Sequence, residues 1–413
     1  MTNGEYEVVV VGGGAAGIGA ARRLHAAGVN YLLVEARARL GGRAFTVLDR
    51  GGRALDNGCG WLHSADRNPW NAIAVVQGKT VDRTRPPWER PGPEAIFPAA
   101  QHREFWGALR DLFGRAEDAA REQPDQALAN LLPENGRWNA ALNAASTYIS
   151  GAELDRVSVY DTDRYADTGV NWRVLQGYGA TVAAHGEGLN TVLDCPVTRI
   201  DRSGAQLRID TAKGALAAGR AIVTLPTSLL ADDALFAPAL PDKVAAARGL
   251  PLGLADKLFL SLERAEDFEA DLRIFGRTDR AGTGNYHFRP FGRPMIEAYF
   301  GGRCAAALEQ DGERGFMAFA REELTGVFGS DFADRIGLIH VHQWHNDPFA
   351  RGSYSYALPG HADDRAKLAA SVDDRLFFAG EACSPGDFST AHGAFATGIV
   401  AAEQILALRV TQQ

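Results

Sequence analysis

Cysteine is scarce. Cys59, Cys195, Cys304 and Cys383 are the only four in 413 residues, far apart and without a C-x-x-C pair. That spacing argues against a disulfide framework or a zinc ribbon and suits a reducing compartment. Lysine is scarcer than the charge balance suggests: Lys79, Lys213, Lys243, Lys257 and Lys367 are the only five of 43 basic residues, so Lys257, set in an apolar stretch, stands out. Excess positive charge is also lacking. The 43 Lys and Arg against 51 Asp and Glu leave a net charge of −8, which argues against nucleic acid as a partner. No long hydrophobic run opens the chain: uncharged Val8 to Ala21 falls short of the roughly 18 residues of a membrane span, and Glu5 and Glu7 stand where a signal peptide would be basic. The expectation is a cytoplasmic protein with no membrane partner.

With 46% hydrophobic and 23% charged residues, the composition is that of a globular protein, and the length suits two or three domains. Glu7 to Val11 is a β-branched run ending in Gly12-Gly13-Gly14-Ala15-Ala16-Gly17. An alanine-rich helical stretch, Gly28 and a second apolar strand, Tyr31 to Val34, follow, with Glu35 at its end. A G-x-G-x-x-G turn between strand and helix, with an acid about 20 residues on, is the fingerprint of a dinucleotide site. Gly12 would permit the tight turn, Gly14 the close approach of a pyrophosphate to the helix N-terminus, and Gly17 the packing of helix on strand. Glu35 would accept from a ribose hydroxyl.

Five prolines between Thr84 and Pro98 (Pro86, Pro87, Pro91, Pro93 and Pro98) mark an irregular segment. Gln101 to Arg121 and Arg314 to Phe328 read as amphipathic helices. Leu258 to Leu262, Met295 to Phe300 and Leu338 to Trp344 read as strands of an antiparallel sheet. Arg375 to Ala379 is a buried strand running into Gly380-Glu381, and Thr390 to Leu408 a small-residue helix whose His392 and Glu403 disfavour a membrane span. The expected fold is α/β: a discontinuous Rossmann-like dinucleotide-binding domain (1–75, 176–232 and 368–413) and a second α+β substrate domain on an antiparallel sheet (76–175 and 233–367).

The stretch from Glu35 through Ala36, Arg37, Gly41, Gly42 and Arg43, and then Leu55-Asp56-Asn57-Gly58-Cys59-Gly60-Trp61-Leu62-His63, resembles the FAD-binding flavin amine oxidases, the family of monoamine oxidases, polyamine oxidases and lysine-specific histone demethylases. The resemblance returns at Leu175 to Gly179, Ala221 to Pro226, Pro251 to Lys257, Gly352 to Tyr356, Phe378 to Glu381 and His392 to Ala394; the region Pro69 to Asp161 matches loosely. It implies FAD held by Gly12, Gly14, Ala15, Ala16, Gly17, Glu35, Ala36, Arg37, Gly42, Arg43, Asn57, Gly58, Val197, Thr224, Gly380, Glu381, Thr390 and Ala391. It implies catalytic-site roles for Lys257, Tyr354, His63 and Trp61.

Lys257 matches the family lysine that holds a water against flavin N5; the competing reading is a strand-end lysine snorkelling to solvent. Tyr354 matches one wall of an aromatic cage, whereas the position of the second wall in monoamine oxidases is Thr390 here. Ser353 stands where monoamine oxidases carry the flavin-linking cysteine, so FAD is expected to be noncovalent, with Cys383 an inert buried thiol. The Trp61-Leu62-His63 segment lacks the arginine with which amino-acid oxidases hold a substrate carboxylate. His340, His342 and His345 invite a metal reading, but no cysteine or carboxylate cluster completes a site, and no metal is expected. Asp161 and Asp163 are candidates for the distal cation of a diamine, or plain solvated acids.

The resemblance implies an FAD-dependent amine oxidase. Hydride would pass from the α-carbon of a neutral amine, a polyamine or another amine without an α-carboxylate, to flavin N5. O2 would reoxidise the flavin to give H2O2, and the imine would hydrolyse to aldehyde. Rival readings are a related FAD desaturase or amino-acid oxidase, and a flavin-bearing binding module without turnover. The sequence leaves the oligomeric state open.

Overall fold

The computed structural model describes residues 5–90, 92–122 and 124–410; Pro91 of the proline-rich segment lies outside them. The first strand, Glu5–Val11, is buried on both faces from Val8 onward, as its uninterrupted apolar run requires of an interior parallel strand. It lies between Tyr31–Val34 and Gly214–Val223, parallel to both. The long strand Gly214–Val223 pairs antiparallel with Leu207–Thr211 through its first half and parallel with Leu376–Phe378 through its last three residues. The C-terminal strand and the N-terminal one thereby flank the same end of Gly214–Val223 on its two edges.

At the end of the first strand Gly12 takes φ +106°. A Cβ on Gly17 would lie 1.8 Å from the Gly12 carbonyl oxygen, so the helix Ala15–Ala26 starts hard against the strand only because Gly17 has none. The helix Ala391–Val410 packs on that first helix, and a Cβ on Gly398 would meet the Ala16 oxygen at 1.9 Å. By length and composition its Ala391–Arg409 span would suit a membrane, but Ala401, Ala402 and Ile405 are buried in the protein core.

The expected antiparallel sheet has five strands, in the order Leu272–Phe275, Asn285–Phe288, Met295–Gly301, Ala255–Leu262, Ile336–His342. Strand alternation gives it two unlike faces. Leu258, Leu260, Ile296, Ala298 and Phe300 pack with Phe316, Ala320 and Leu324 of the helix Gly302–Phe328. Lys257, Glu297 and Tyr299 are on the other face. That helix begins twelve residues before the expected Arg314, because Gly312, with φ +62° and ψ −150°, kinks it and breaks the apolar period. The amphipathic helix Ala99–Ala119 forms as expected and buries Phe105, Leu109, Leu112 and Ala116 against the helix Asn139–Ile149.

The packing redraws the expected domain limits. Phe236–Ala237 pairs with Val197–Asp201 in the nucleotide-side sheet. Leu240, Ala246, Leu250, Ala357, Ala362 and Leu368 share a core with Val9, Val11 and Leu376. Segments 233–250 and 357–367 therefore pack on the nucleotide side, not with the substrate sheet. Their apolar positions are legible in the sequence, but the sheet they cover is not.

Asp161 is not a receptor for a distal cation. It lies in the short helix Val159–Arg164, where Arg365 Nε donates to Oδ1 at 2.6 Å and Arg365 Nη2 to Oδ2 at 2.8 Å, with both side chains 2% exposed. Asp163 is exposed. Breaking a buried pair leaves an uncompensated charge, so Asp161→Asn is expected to lower the unfolding free energy by about 3 to 5 kcal/mol, measured by denaturant titration; a loss under about 1 kcal/mol would contradict a structural role for this pair.

Candidate active site

A cavity of about 1310 Å³ runs from the glycine turn to the polar face of the five-stranded sheet. That exceeds the usual several hundred Å³ of a small-ligand pocket and leaves room for a cofactor and a substrate together. Of the residues expected at the cofactor, Gly12, Gly14, Ala15, Ala16, Glu35, Ala36, Arg37, Gly42, Arg43, Asn57, Gly58, Val197, Thr224, Gly380, Glu381, Thr390 and Ala391 all line it. Gly17 does not; it packs behind the turn.

The lining fits a dinucleotide. Gly14 has an extended backbone, and the nearest atom to a Cβ built there is Gly42 Cα at 3.9 Å, so the turn presents a bare concave surface. Glu35, at the end of the second strand, accepts from Gly13 N at 2.6 Å and Arg37 N at 2.8 Å, which fixes its carboxylate at the cavity wall. Asn57 is 1% exposed, and neither side-chain amide atom has a partner among the described residues. A buried orphan amide lining a cavity is the mark of an expected ligand. The helix Ala391–Val410 opens into the cavity at Thr390 and Ala391, placing its positive end there.

Arg43 Nη1 donates to Glu381 Oε1 at 2.9 Å and to the Ser353 carbonyl at 2.7 Å. Glu381 also accepts from Ser355 Oγ at 2.6 Å and Ser389 N at 3.0 Å. Despite burial, Arg43 and these donors hold the Glu381 carboxyl below its usual range. Both its oxygens are engaged, so Glu381 acts on the cavity by holding Arg43. Thr224 likewise donates to Val11 O and Gly12 O and braces the turn.

On the substrate side, Lys257 is the third residue of Ala255–Leu262, with its side chain 6% exposed and its Nζ 2.9 Å from Glu297 Oε1. The snorkelling alternative fails. Burial opposes the charge on Lys257, but Glu297 and Asp56 outweigh it and raise the pKa above its usual value; Glu297 is in turn held low by Lys257 against its own burial. Asp56 accepts from Tyr178 N at 2.9 Å and Gly179 N at 3.1 Å, so the Leu55–Gly58 and Gly177–Gly179 motifs meet beneath the lysine.

Tyr354 Oη donates to the Tyr148 carbonyl at 2.8 Å and lies 3.1 Å from Tyr299 Oη. Thr390 supplies no second aromatic wall; Tyr299 lines the same cavity from a different element. Trp61 packs edge-on against Trp88 at 4.4 Å. His63 Nδ1 lies 2.6 Å from Asn171 Oδ1, and Asn171 Nδ2 donates to Gly169 O; with the amide so oriented, Nδ1 carries the proton and Nε2 is left as an acceptor. Burial lowers the His63 pKa, with Asn171 opposing, which favours the neutral ring.

Glu297, Tyr299, Tyr148 and Asn171 escaped the sequence reading. The alternation of Glu297 and Tyr299 with Ile296, Ala298 and Phe300 was the available signal. His342 packs against Trp344 with ring centroids 4.2 Å apart, and burial drives its pKa down to about 4. Among the described residues no three His, Cys, Asp or Glu side chains gather as a metal site. Ser353 Oγ donates to Ala255 O and accepts from Ala255 N, and burial pushes the Cys383 thiol up to about 12.

Comparison with known proteins agrees with this geometry. The family model for flavin containing amine oxidoreductase matches residues 117–406, and that for an NAD(P)-binding Rossmann-like domain matches residues 10–75. Polyamine oxidase 4 of Oryza sativa subsp. japonica is 26% identical, over 96% of this chain and 88% of its own length. Polyamine oxidase 2 of Arabidopsis thaliana is 26% identical over 96% and 87%. A lysine-specific histone demethylase 1 homolog 3 of Oryza sativa subsp. indica is 28% identical over 96% of this chain but 54% of its own. In fold, a double mutant of putrescine oxidase redesigned for cofactor binding superposes with a TM-score of 0.77 over 98% of this chain and 99% of that one, at 17% identity.

The open space at Gly14 generates a test of the cradle. Gly14→Val should fold, because its Cβ meets no atom closer than 3.9 Å, yet should fill the surface a pyrophosphate needs. Purified variant should keep the wild-type circular dichroism and lose most of its absorbance near 450 nm. Full flavin content in a folded Gly14→Val would remove this turn from the cofactor site.

Proposed function

The chain belongs to the flavin-containing amine oxidoreductases, and from that premise we propose that it oxidises an amine lacking an α-carboxylate, with noncovalent FAD and O2 as acceptor. The observation that carries this reading is the buried Lys257–Glu297 pair beside Tyr299 and Tyr354, in the same cavity as the glycine turn. FAD held by the glycine-turn side of the cavity would supply the two-electron acceptor: the hydride lost from the amine α-carbon and the proton lost from its nitrogen would end on O2 as H2O2, and the imine would hydrolyse to aldehyde.

The residues divide the remaining work. Lys257 stays protonated inside the protein and supplies a fixed positive charge that favours an electron-rich neighbour and orients water. Tyr354 and Tyr299 present aromatic surface that guides the amine and attracts its cation on entry. Neutral His63 leaves Nε2 as an acceptor at the cavity wall for an amine N–H. An α-carboxylate beside Lys257 finds no free cation, since Glu297 holds Lys257 and Asp82 and Asp271 hold Arg173. Its desolvation would go uncompensated.

Lys257→Met is expected to keep its flavin and slow flavin reduction or reoxidation by on the order of a hundredfold, about 2 to 4 kcal/mol of barrier; stopped-flow rates both within threefold of wild type would remove Lys257 from the chemistry. Acid precipitation should release the flavin to the supernatant, and colour kept in the pellet would refute noncovalent attachment. Hydride leaves only from neutral amine, so flavin reduction at low substrate should speed up as pH rises toward the amine pKa. Peroxide formation from phenethylamine, putrescine, spermidine and a set of L-amino acids tests the substrate class. Faster turnover of the amino acids than of every amine without the carboxylate would refute it.

A further inference from the structure

Arg273 is a cation on the cavity wall that the chemistry above leaves unused. It belongs to the edge strand Leu272–Phe275 of the five-stranded sheet, on the same face as Glu297 and Tyr299. Its Nε donates to Asn285 Oδ1 at 2.7 Å, and its guanidinium carbon lies 4.5 Å from the Phe275 ring centroid. Neither Nη group meets an acceptor, and no carboxylate pairs with it, among the described residues. By contrast Arg37 and Arg43 on the same cavity each hold an acid, and Arg351, the other arginine lining it, is exposed. Burial lowers the Arg273 pKa to about 10, which leaves it charged near neutrality.

Register sets its distance from the reacting centre. Asn285 is opposite Tyr299, which is opposite Lys257. Arg273 is one strand further out, three spacings of about 4.8 Å from the Lys257 strand, and its reach to the Asn285 side chain brings its head to roughly 10 Å from Lys257 across the sheet. The walls of that part of the cavity are apolar, with Phe105, Leu109 and Leu112 contributed by the helix Ala99–Ala119.

We propose that Arg273 receives a carboxylate at the far end of the substrate, which makes the substrate class an amine joined through an apolar linker to a remote carboxylate. The proposal rests on the amine-oxidase reading and deepens it. A planar guanidinium with two free Nη groups matches a carboxylate bidentately, and one half-buried cation between apolar walls suits a single negative charge. The same cation opposes the distal ammonium of a diamine, for which Asp161 and Glu297, already paired with Arg365 and Lys257, offer no charge.

The test compares octylamine, 8-aminooctanoate and 1,8-diaminooctane by peroxide production, and octanoate binding by calorimetry, on the wild-type holoenzyme and on Arg273→Gln and Arg273→Lys. Wild type should prefer 8-aminooctanoate over the other two by about tenfold or more in kcat/KM. Arg273→Gln should abolish the preference for 8-aminooctanoate over octylamine and weaken octanoate binding about tenfold, with partial recovery in Arg273→Lys. Equal turnover of the three by wild type, or a loss in Arg273→Gln that is the same for all three, overturns the proposal. So does octanoate binding that does not change in Arg273→Gln. If no amine is oxidised while octanoate binding still depends on Arg273, the oxidase reading fails and the anion subsite stands.

Discussion

One buried charge network holds the cavity together, and the rest of the site depends on it. Asp161 neutralises Arg365, Arg365 Nη1 donates to Ser355 Oγ at 3.0 Å, Ser355 Oγ donates to Glu381, and Glu381 holds Arg43. These residues come from five separate stretches of a 413-residue chain. A discontinuous fold needs such a clamp, because no local element can set one of these segments against another. Every charge in the network has a partner, which is the condition under which buried ions are tolerated.

The five-stranded sheet converts one strand periodicity into two functions. Its even-numbered residues in Met295–Gly301 go to the Phe316 core, and Glu297 and Tyr299 go to the cavity. A lysine on the cavity face would ordinarily extend to water or lose its proton. Glu297 and Asp56 prevent both: they hold Lys257 charged in a site from which solvent is largely withdrawn. A fixed charge in such a place needs no reorganisation when a negative charge develops beside it.

The cavity is electrostatically graded. Close to Lys257 the charge is matched by acids, and aromatic and tyrosine surface takes over outward, with the unmatched guanidinium of Arg273 beyond it. The glycine turn, the positive end of the C-terminal helix and the orphan amide of Asn57 line the cofactor side of the same cavity. Cofactor-side and substrate-side features thus occupy one continuous cavity, bounded by the two sheets and the helical layer of Ala99–Ala119 and Asn139–Ile149.

Local features were legible in the sequence. The strand Tyr31–Val34 ends where its apolar run does, the Gly12 to Gly17 turn follows from backbone geometry that tolerates no Cβ, and the helix Ala99–Ala119 shows its apolar stripe. The motifs also sufficed to pick out the cavity lining, since close backbone approach demands particular small residues in a particular order. Whether Lys257 turned inward, whether Asp161 faced a substrate or Arg365, and which sheet 233–250 would cover were decided by tertiary structure alone. So was the solitary position of Arg273. The reason is physical: backbone conformation and strand alternation are set by near neighbours, whereas the state of a charge is set by what burial removes and by partners as distant in the chain as Glu381 is from Arg43, 338 residues.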